Sequence, residues 1–257
     1  MNTFLNLLDK IERAKQLDFG NIFDSVLEMY KKVWLKGFLV ILFVMVSAIG
    51  IAFLFELIGL SSKANYMFND GFNLDTYTSF YYTNILYSIP QTILISTVNL
   101  AFVAAFYRIC KSVDLGENAT DDYLYFFKKI YFSKILMLGI IYSGIAAIAQ
   151  LMLFIPYIYV YIPLAYFAII FSSNPDLSEV EIVKASFKLG NKKWFITFGT
   201  MFVAGLLGML GIVACGIGLL FTISIVYLPV FFIYKQVVGF NNNSEIEKIG
   251  IRDNSDY

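Results

Sequence analysis

Few residues of this chain carry side chains suited to catalysis. The sequence contains no histidine, which excludes Ser-His-Asp and Cys-His nucleophilic catalysis, imidazole metal sites and histidine proton relays. Cys110 and Cys215 cannot form a tetrahedral zinc site alone, and the topology derived below puts them on opposite sides of a membrane, where no disulfide is expected. Asp70 and Asp75 are paired acids in an outer loop, but nothing nearby organises them for catalysis. We therefore expect no enzyme activity, cofactor or metal, and rank an enzyme third among the function classes.

Polar residues inside apolar stretches are the next candidates for chemistry, because such groups are expensive in a membrane. Gln91, Asn99 and Gln150 are of this kind, and the first two are eight residues apart, roughly on one face of a helix. We interpret them as partners in interhelical hydrogen bonds, with the lining of a substrate path as the alternative. Glu56 is the ionisable residue nearest to the interior of a span. We interpret it as an interfacial carboxylate, the alternative being a coupling carboxylate of a transporter.

The elements that position these residues are predicted to be transmembrane helices. Of the 257 residues, 59% are hydrophobic and 15% charged, against about 45–50% and about 25% in soluble domains. The apolar runs reach the roughly 20 residues that a spanning helix needs. The third and fourth spans share one apolar block with a turn at Pro156, and the fifth and sixth share another with a turn at 215–218. The six predicted spans lie at 37–60, 85–107, within 133–171 (two) and within 194–234 (two).

The basic residues predict the orientation. All but Lys63 of the 19 lysine and arginine residues fall on the same side of the predicted spans. The positive-inside rule then puts both termini in the cytoplasm. The net charge of zero gives no reason to expect nucleic-acid binding. We predict a cytoplasmic amphipathic segment at 1–36, a transmembrane domain at 37–235 and a polar cytoplasmic tail at 236–257, with the first span acting as an uncleaved signal anchor.

A threefold repeat underlies the six spans. Each predicted hairpin follows a short basic amphipathic segment that we expect to lie flat at the cytoplasmic interface. The three segments are 24–32, 121–129 and 178–188. Ser178 and Glu181 form a capping-box pattern that predicts a helix start. Thr120, followed by Asp121 and Asp122, favours the start of a helix in the second segment.

The second helix of each hairpin carries a proline shortly after a tyrosine. These residues are Pro90, Pro163 and Pro229, and each is expected to kink its helix by removing a backbone hydrogen bond. The first hairpin differs from the others because its outer loop, 61–83, is long and rich in Tyr, Phe, Asn and Asp. The sequence therefore predicts an all-α polytopic membrane protein of three hairpins, each preceded by an interfacial amphipathic helix.

Two further sets of residues are candidates for contacts. Small residues at four-residue spacing allow helix backbones to approach closely, either within the bundle or against a partner helix. These are Gly139, Ser143 and Ala147 in the third span and Ala204 and Gly208 in the fifth. Basic residues next to aromatic ones are typical of membrane anchoring and of contact with anionic headgroups. They are Lys31, Lys32, Lys128, Lys129, Lys192, Lys193 and Trp194.

The third repeat carries a resemblance to a known family. The stretch Ala-Ser-Phe-Lys-Leu-Gly-Asn-Lys-Lys-Trp-Phe at 185–195 is followed by a glycine-rich span, Cys-Gly-Ile-Gly at 215–218 and Tyr-Leu-Pro at 227–229. It resembles a bacterial family of six-helix inner-membrane proteins that includes the membrane domain fused to some glycerophosphodiester phosphodiesterases. The resemblance covers most of the chain and is strongest over 174–240. It implies the fold and an inner-membrane location, but not the phosphodiesterase activity, since no soluble phosphodiesterase domain is recognised in this chain.

Two classes of function follow from the sequence. The first is a non-catalytic accessory or scaffold subunit that binds membrane lipids, another membrane complex, or both. The second is a transporter or lipid-translocating protein, suggested by repeated hairpins with prolines in their helices. The first is preferred because an ion-coupled transporter would show an ionisable residue at the membrane midplane.

Overall fold

The computed structural model of the chain describes residues 3–59, 74–117, 120–152, 155–213 and 216–240, with only the backbone of 74–87 and Ile155. The regular secondary structure of the described part is all helical, as predicted. Six helical segments are long and apolar enough to cross a membrane, which makes this a multi-pass membrane protein. They are Phe19–Leu57, Ser88–Asp114, Lys129–Leu151, Pro156–Ser173, Trp194–Val213 and Gly218–Val237.

The chain opens with two helices. Helix α1 (Phe4–Glu12) is amphipathic, and its apolar residues Leu7 and Ile11 are fully buried. Helix α2 (Phe19–Leu57) begins where the Asp18 side chain accepts a hydrogen bond from the backbone N–H of Asn21 (2.8 Å). At 39 residues it extends roughly 60 Å, about twice the thickness of the hydrocarbon core.

The predicted boundary at residues 36 and 37 is not a break in the chain. Helix α2 runs through it, so the first predicted amphipathic segment, 24–32, is part of the same helix as the first span. Val26, Val33 and Val40 are fully buried along one continuous face. Helix α2 contains no proline that would end it before Leu57. Its glycines, Gly20, Gly37 and Gly50, do not interrupt it.

Helix α3 (Leu74–Asp114) contains Pro90 and starts earlier than predicted. The predicted outer loop 61–83 is wrong from Leu74 onward, while 61–73 lie outside the described residues. Residues 74–83 include neither proline nor glycine, so their polarity does not prevent helix formation. The most apolar window of α3 is 61% buried, against 11% for α2. Helix α3 is therefore central and α2 peripheral.

The second predicted amphipathic helix does not form. Between α3 and α4 (Lys129–Leu151) the described chain holds only a single 3-10 turn, Tyr125–Phe127. The Asp122 carboxylate accepts a hydrogen bond from the backbone N–H of Leu124 (3.1 Å), and such local bonds compete with helix formation. Phe126 inserts into the core at 1% exposure. Packing of this ring, together with the Asp122 bond, outweighs the helical pattern of 121–129.

Helix boundaries occur near both predicted turns. Helix α5 (Ile155–Ser173) starts with Pro156 in its first turn and continues through Pro163. The fifth span consists of α7 (Trp194–Met209) and a 3-10 extension to Val213, and Gly216 has a positive φ of 79° in the following turn.

The sixth span consists of three helical pieces. They are α8 (Gly218–Thr222), a 3-10 segment (Ile223–Tyr227) and α9 (Leu228–Val237). Pro229 lies in the first turn of α9. At that position its missing N–H removes no intrahelical hydrogen bond. The predicted proline pattern thus differs from the structure here, where Pro229 begins a helix instead of standing inside one.

The third amphipathic segment forms the predicted helix. Helix α6 (Glu179–Lys192) has the capping box in which Ser178 and Glu181 bond to each other's backbone N–H. It packs on α5, and α1 packs on it in turn. The backbone N–H bond from Ser178 is the main reason that the pKa of the Glu181 carboxyl lies below its ordinary value.

Contacts at one end of the bundle bring distant basic segments together. Lys36 pairs with Asp121 (2.8 Å), and Lys235 pairs with Asp114 (2.7 Å). Lys10 donates to the carbonyl of Val238 (3.0 Å), which joins α1 to the end of α9. We call this end, with α1, α6 and residues 115–117 and 120–128, the basic end. The two ends of the described chain therefore lie on the same side of the bundle.

Candidate functional site

A cavity of about 160 Å³ lies inside the bundle, between α3, α4, α5, α7 and the sixth span. Aromatic hydroxyls and one amide supply its polar surface, and aliphatic side chains supply the rest. The lining residues are Asn99, Leu100, Val103, Tyr107, Tyr142, Tyr161, Leu164, Ala165, Ala168, Met201, Tyr227 and Val230. For scale, an apolar cavity of about 150 Å³ in another protein holds one benzene molecule.

Most polar groups of the cavity have no partner among the described residues. The Tyr107 hydroxyl donates to the carbonyl of Tyr227 (3.1 Å). By contrast, the hydroxyls of Tyr142, Tyr161 and Tyr227 and the amide of Asn99 make no hydrogen bond to the described part of the chain. A polar group without a hydrogen-bond partner is unfavourable in a membrane interior, so any partner that binds there stabilises it. The cavity therefore offers hydrogen bonds to a bound group.

The depth of the cavity follows from where its residues stand in their spans. Tyr142, Leu164, Met201 and Tyr227 each lie within three residues of the middle of their span. Since a helix rises 1.5 Å per residue, these side chains start within about 5 Å of mid-span. The polar cavity thus lies near the middle of these four spans, the part of a spanning helix where substrate sites of many transporters are also found.

An apolar groove of about 270 Å³ adjoins the cavity. Tyr161 and Met201 line both, so the two spaces share a wall. The remaining groove residues are Ile162, Phe198, Phe202, Gly205, Leu206, Met209 and Val226. Phe202 and Leu206 are more than half exposed, which places the groove on the surface that faces lipid when the bundle is in a membrane.

The described lining of cavity and groove carries no Lys, Arg, Asp or Glu. The charged side chains are concentrated instead at the basic end, where carboxylates and carbonyls satisfy many of them. The site therefore has hydrogen-bonding capacity without net charge. It can hold a neutral polar group next to an apolar chain.

The structure separates the three predicted intramembrane polar residues. Asn99 lines the cavity, whereas Gln91, eight residues earlier on α3, lies about 12 Å away along the helix. Gln150 stands one residue before the end of α4 and is partly buried. Only Asn99 of the three belongs to the site. Glu56 is exposed near the end of α2, as expected for an interfacial carboxylate.

Sequence reasoning missed the tyrosines of the cavity. Tyr142 and Tyr227 stand in the middle of apolar blocks, where a phenylalanine would pack without a polar atom. That position was the available signal, because tyrosines of an aromatic belt lie near the ends of spans. The sequence pattern used Tyr161 and Tyr227 only as the tyrosines that precede Pro163 and Pro229, and it did not include Tyr142.

The small residues of the third and fifth spans lie against helices of the same chain. A Cβ added at Gly139 would be 2.9 Å from the Cα of Thr97 on α3, and one at Gly208 would be 3.4 Å from the Cα of Ile223. Ser143 is buried and donates to the carbonyl of Gly139 (2.7 Å). Ala204 is fully buried and Ala147 is partly exposed. The structure uses this spacing for packing inside the bundle.

The predicted headgroup lysines fall into two groups. Lys31, Lys32 and Lys129 are exposed. The others make contacts within the chain: Lys128 pairs with Asp122 (2.8 Å), and Lys192 donates to the carbonyl of Glu12. The Lys128 ammonium holds the pKa of Asp122 below its ordinary value.

Lys193 and Trp194 both contact other parts of the chain. Lys193 is only 7% exposed and donates to the carbonyl of Lys15, so its ammonium group is directed at the chain itself, and its predicted headgroup contact stays a prediction. Burial lowers the pKa of its ammonium group. The indole N–H of Trp194 donates to the carbonyl of Tyr159 (3.0 Å), and its ring stacks on Phe198. Both residues attach the loop between α6 and α7 to neighbouring elements.

Cys110 lies on α3 and is buried in the core of the bundle, and Cys215 lies outside the described residues. No group of His, Cys, Asp and Glu side chains able to hold a metal ion occurs in the described parts of the chain. No protein-family model, curated protein or solved structure matches this chain. The site described above is therefore interpreted from its own geometry.

Proposed function

We propose that this chain is a non-catalytic integral inner-membrane protein that binds lipid and acts as an accessory or scaffold subunit of another membrane complex. The observation that carries the proposal is the uncharged polar cavity joined to an apolar groove. Together they match the two parts of an amphiphile, which are a hydrogen-bonding head and a hydrocarbon chain.

The scaffold role is supported by the peripheral position of α2. Its most apolar window is only 11% buried, and Phe53, Leu54 and Leu57 are more than half exposed near its end. A lipid-facing helix of this length is available to a second membrane protein, since association in bilayers depends on van der Waals packing of such surfaces.

The proposed topology has three hairpins with the basic end in the cytoplasm. Lys10, Lys36 and Lys235 make their contacts at that end, which supports this orientation under the positive-inside rule. In this arrangement the exposed Lys31, Lys32 and Lys129 reach anionic lipids, while α6 packs along the fourth span with Gly190 against Pro163.

The first test is a pull-down of the tagged protein in mild detergent at native expression, followed by mass spectrometry of bound proteins and lipids. A membrane complex retained at fixed stoichiometry, together with lipid, is the expected result. Recovery of the protein alone contradicts the subunit role. Recovery without lipid contradicts the lipid-binding role.

The second candidate function is lipid translocation. It is favoured by the depth of the cavity, because a polar site at the midplane can shelter a headgroup that crosses the membrane. A scrambling assay in liposomes with fluorescent lipids distinguishes the two. Flux that depends on the purified protein supports translocation, and absence of flux with retained lipid binding supports the scaffold role.

A further inference from the structure

The cavity discriminates among lipid headgroups by charge. A phosphate-bearing headgroup in this cavity would need a cationic partner, since an unpaired charge is strongly unfavourable in hydrocarbon. The described lining provides no cation. It provides the amide of Asn99 and the hydroxyls of Tyr142, Tyr161 and Tyr227, all of which bind neutral hydroxyl and ester groups.

The size of the cavity sets a second limit. At about 160 Å³ it is close to the roughly 150 Å³ that accommodates the six heavy atoms of benzene. A glycerol unit also has six heavy atoms, so a glycerol end with a free hydroxyl fits, and a sugar or phosphodiester headgroup does not. The groove adds about 270 Å³ of apolar space on the lipid-facing side.

The residues shared by the cavity and the groove indicate how a lipid could occupy both. Tyr161 is 38% exposed, lines both spaces and carries a hydroxyl without a partner among the described residues. Gly205 widens the groove, because a Cβ added there would meet no atom within 4 Å. A chain lying in the groove past Gly205 therefore reaches Tyr161 with its polar end.

From these observations we propose that cavity and groove bind one neutral acylglycerol with a free hydroxyl, of the diacylglycerol class. The hydroxyl end bonds to Asn99 and the tyrosines, one acyl chain lies in the groove along α7, and the second chain remains in the bilayer. This inference rests on the lipid-binding function proposed above and specifies its ligand.

The test uses the full-length protein in phosphatidylcholine nanodiscs with a diacylglycerol that carries a photoreactive diazirine in one acyl chain. After irradiation, crosslinked peptides are identified by mass spectrometry. We expect labelling of α5 and α7 that unlabelled dioleoylglycerol suppresses. Trioleoylglycerol, which lacks the hydroxyl, and dioleoyl phosphatidic acid, which is anionic, should not suppress it.

Two matched pairs of variants locate the site. Tyr161→Phe should weaken diacylglycerol binding about five-fold through loss of one hydrogen bond. Tyr159→Phe on the same helix should not, because that hydroxyl bonds to Asn191 of α6 (2.9 Å) and does not line the cavity or the groove. Gly205→Leu should block the groove, whereas Gly144→Leu, also without neighbours within 4 Å of its Cβ, should leave binding unchanged.

Several outcomes overturn the inference. Equal competition by phosphatidic acid contradicts selection for a neutral headgroup, and equal competition by trioleoylglycerol contradicts recognition of the hydroxyl. Equal effects of the two variants in either pair contradict the site. If diacylglycerol fails to label the groove while another lipid co-purifies, this inference fails and the lipid-binding function stands. If no lipid is retained or crosslinked, both fail.

Discussion

The contact between α3 and α4 provides a quantitative test of the fold. A Cβ at Gly139 would lie 2.9 Å from the Cα and 3.0 Å from the Cβ of Thr97. Carbon atoms in contact are normally about 3.5–4.0 Å apart, so Gly139→Ala forces the helices apart by roughly 0.5–1 Å. Overpacking of this kind costs about 1–3 kcal/mol.

Gly144→Ala is the matched control on the same helix. A Cβ there would meet nothing within 4 Å. Both substitutions gain the same helix propensity, about 1 kcal/mol, so this gain cancels when the variants are compared. Gly139→Ala should therefore be less stable than Gly144→Ala by about 1–3 kcal/mol. For a chain of this size the difference corresponds to roughly 2–12 °C in Tm.

The assay is thermal unfolding of the purified variants in the same detergent. Adding Thr97→Ala to Gly139→Ala should restore part of the loss, because it removes the crowded Thr97 hydroxyl but keeps the Cα and Cβ contacts. Equal unfolding temperatures for Gly139→Ala and Gly144→Ala would refute the close approach of α3 and α4 at this point.

Three further predictions concern the basic end. Ser178→Ala should destabilise α6 by about 1 kcal/mol through loss of its N-cap, seen as faster amide exchange in α6, and unchanged exchange would contradict the role of the cap. Hydrogen bonding to Lys188 lowers the pKa of Glu12 from its ordinary value of 4.5, so this contact stabilises α1 docking above that pH and is lost as pH falls through the lowered pKa. Amide exchange in α1 should rise in acid, and Lys188→Met should remove this dependence; acid-independent exchange in the parent would contradict it. A cysteine at Asn191 should resist an impermeant thiol reagent added from outside, while one at Asn73, which lies outside the described residues, should react, and the reverse pattern would overturn the orientation.

Some predictions failed because tertiary contacts outweighed the local pattern. Residues 121–129 have helical spacing, but burial of Phe126 and the bond from Leu124 to Asp122 hold them in a loop with one 3-10 turn. Lys193 stands in a basic pair next to a tryptophan, yet its ammonium group donates to the carbonyl of Lys15, in the segment between α1 and α2. Neither the core that receives the Phe126 ring nor the Lys15 carbonyl that pairs with Lys193 can be identified from the neighbouring sequence.

The sequence by itself determined the helical class, the six apolar segments, the capping box of α6 and the turns at Pro156 and around Gly216. Each depends on local physics: the length of an apolar run, the capping of a helix end, or the backbone angles that proline and glycine favour. Helical periodicity also identified packing faces such as that of Gly139, though not the helix they meet.

Only the tertiary structure decided where the polar cavity forms. Asn99, Tyr142, Tyr161 and Tyr227 come from four different spans, and periodicity along each span does not specify its rotation relative to the others. That rotation depends on which side chains interlock across the bundle, including Gly139 on Thr97. The candidate site is therefore a property of the packed bundle, since each of these four residues read alone is one more polar group in an apolar helix.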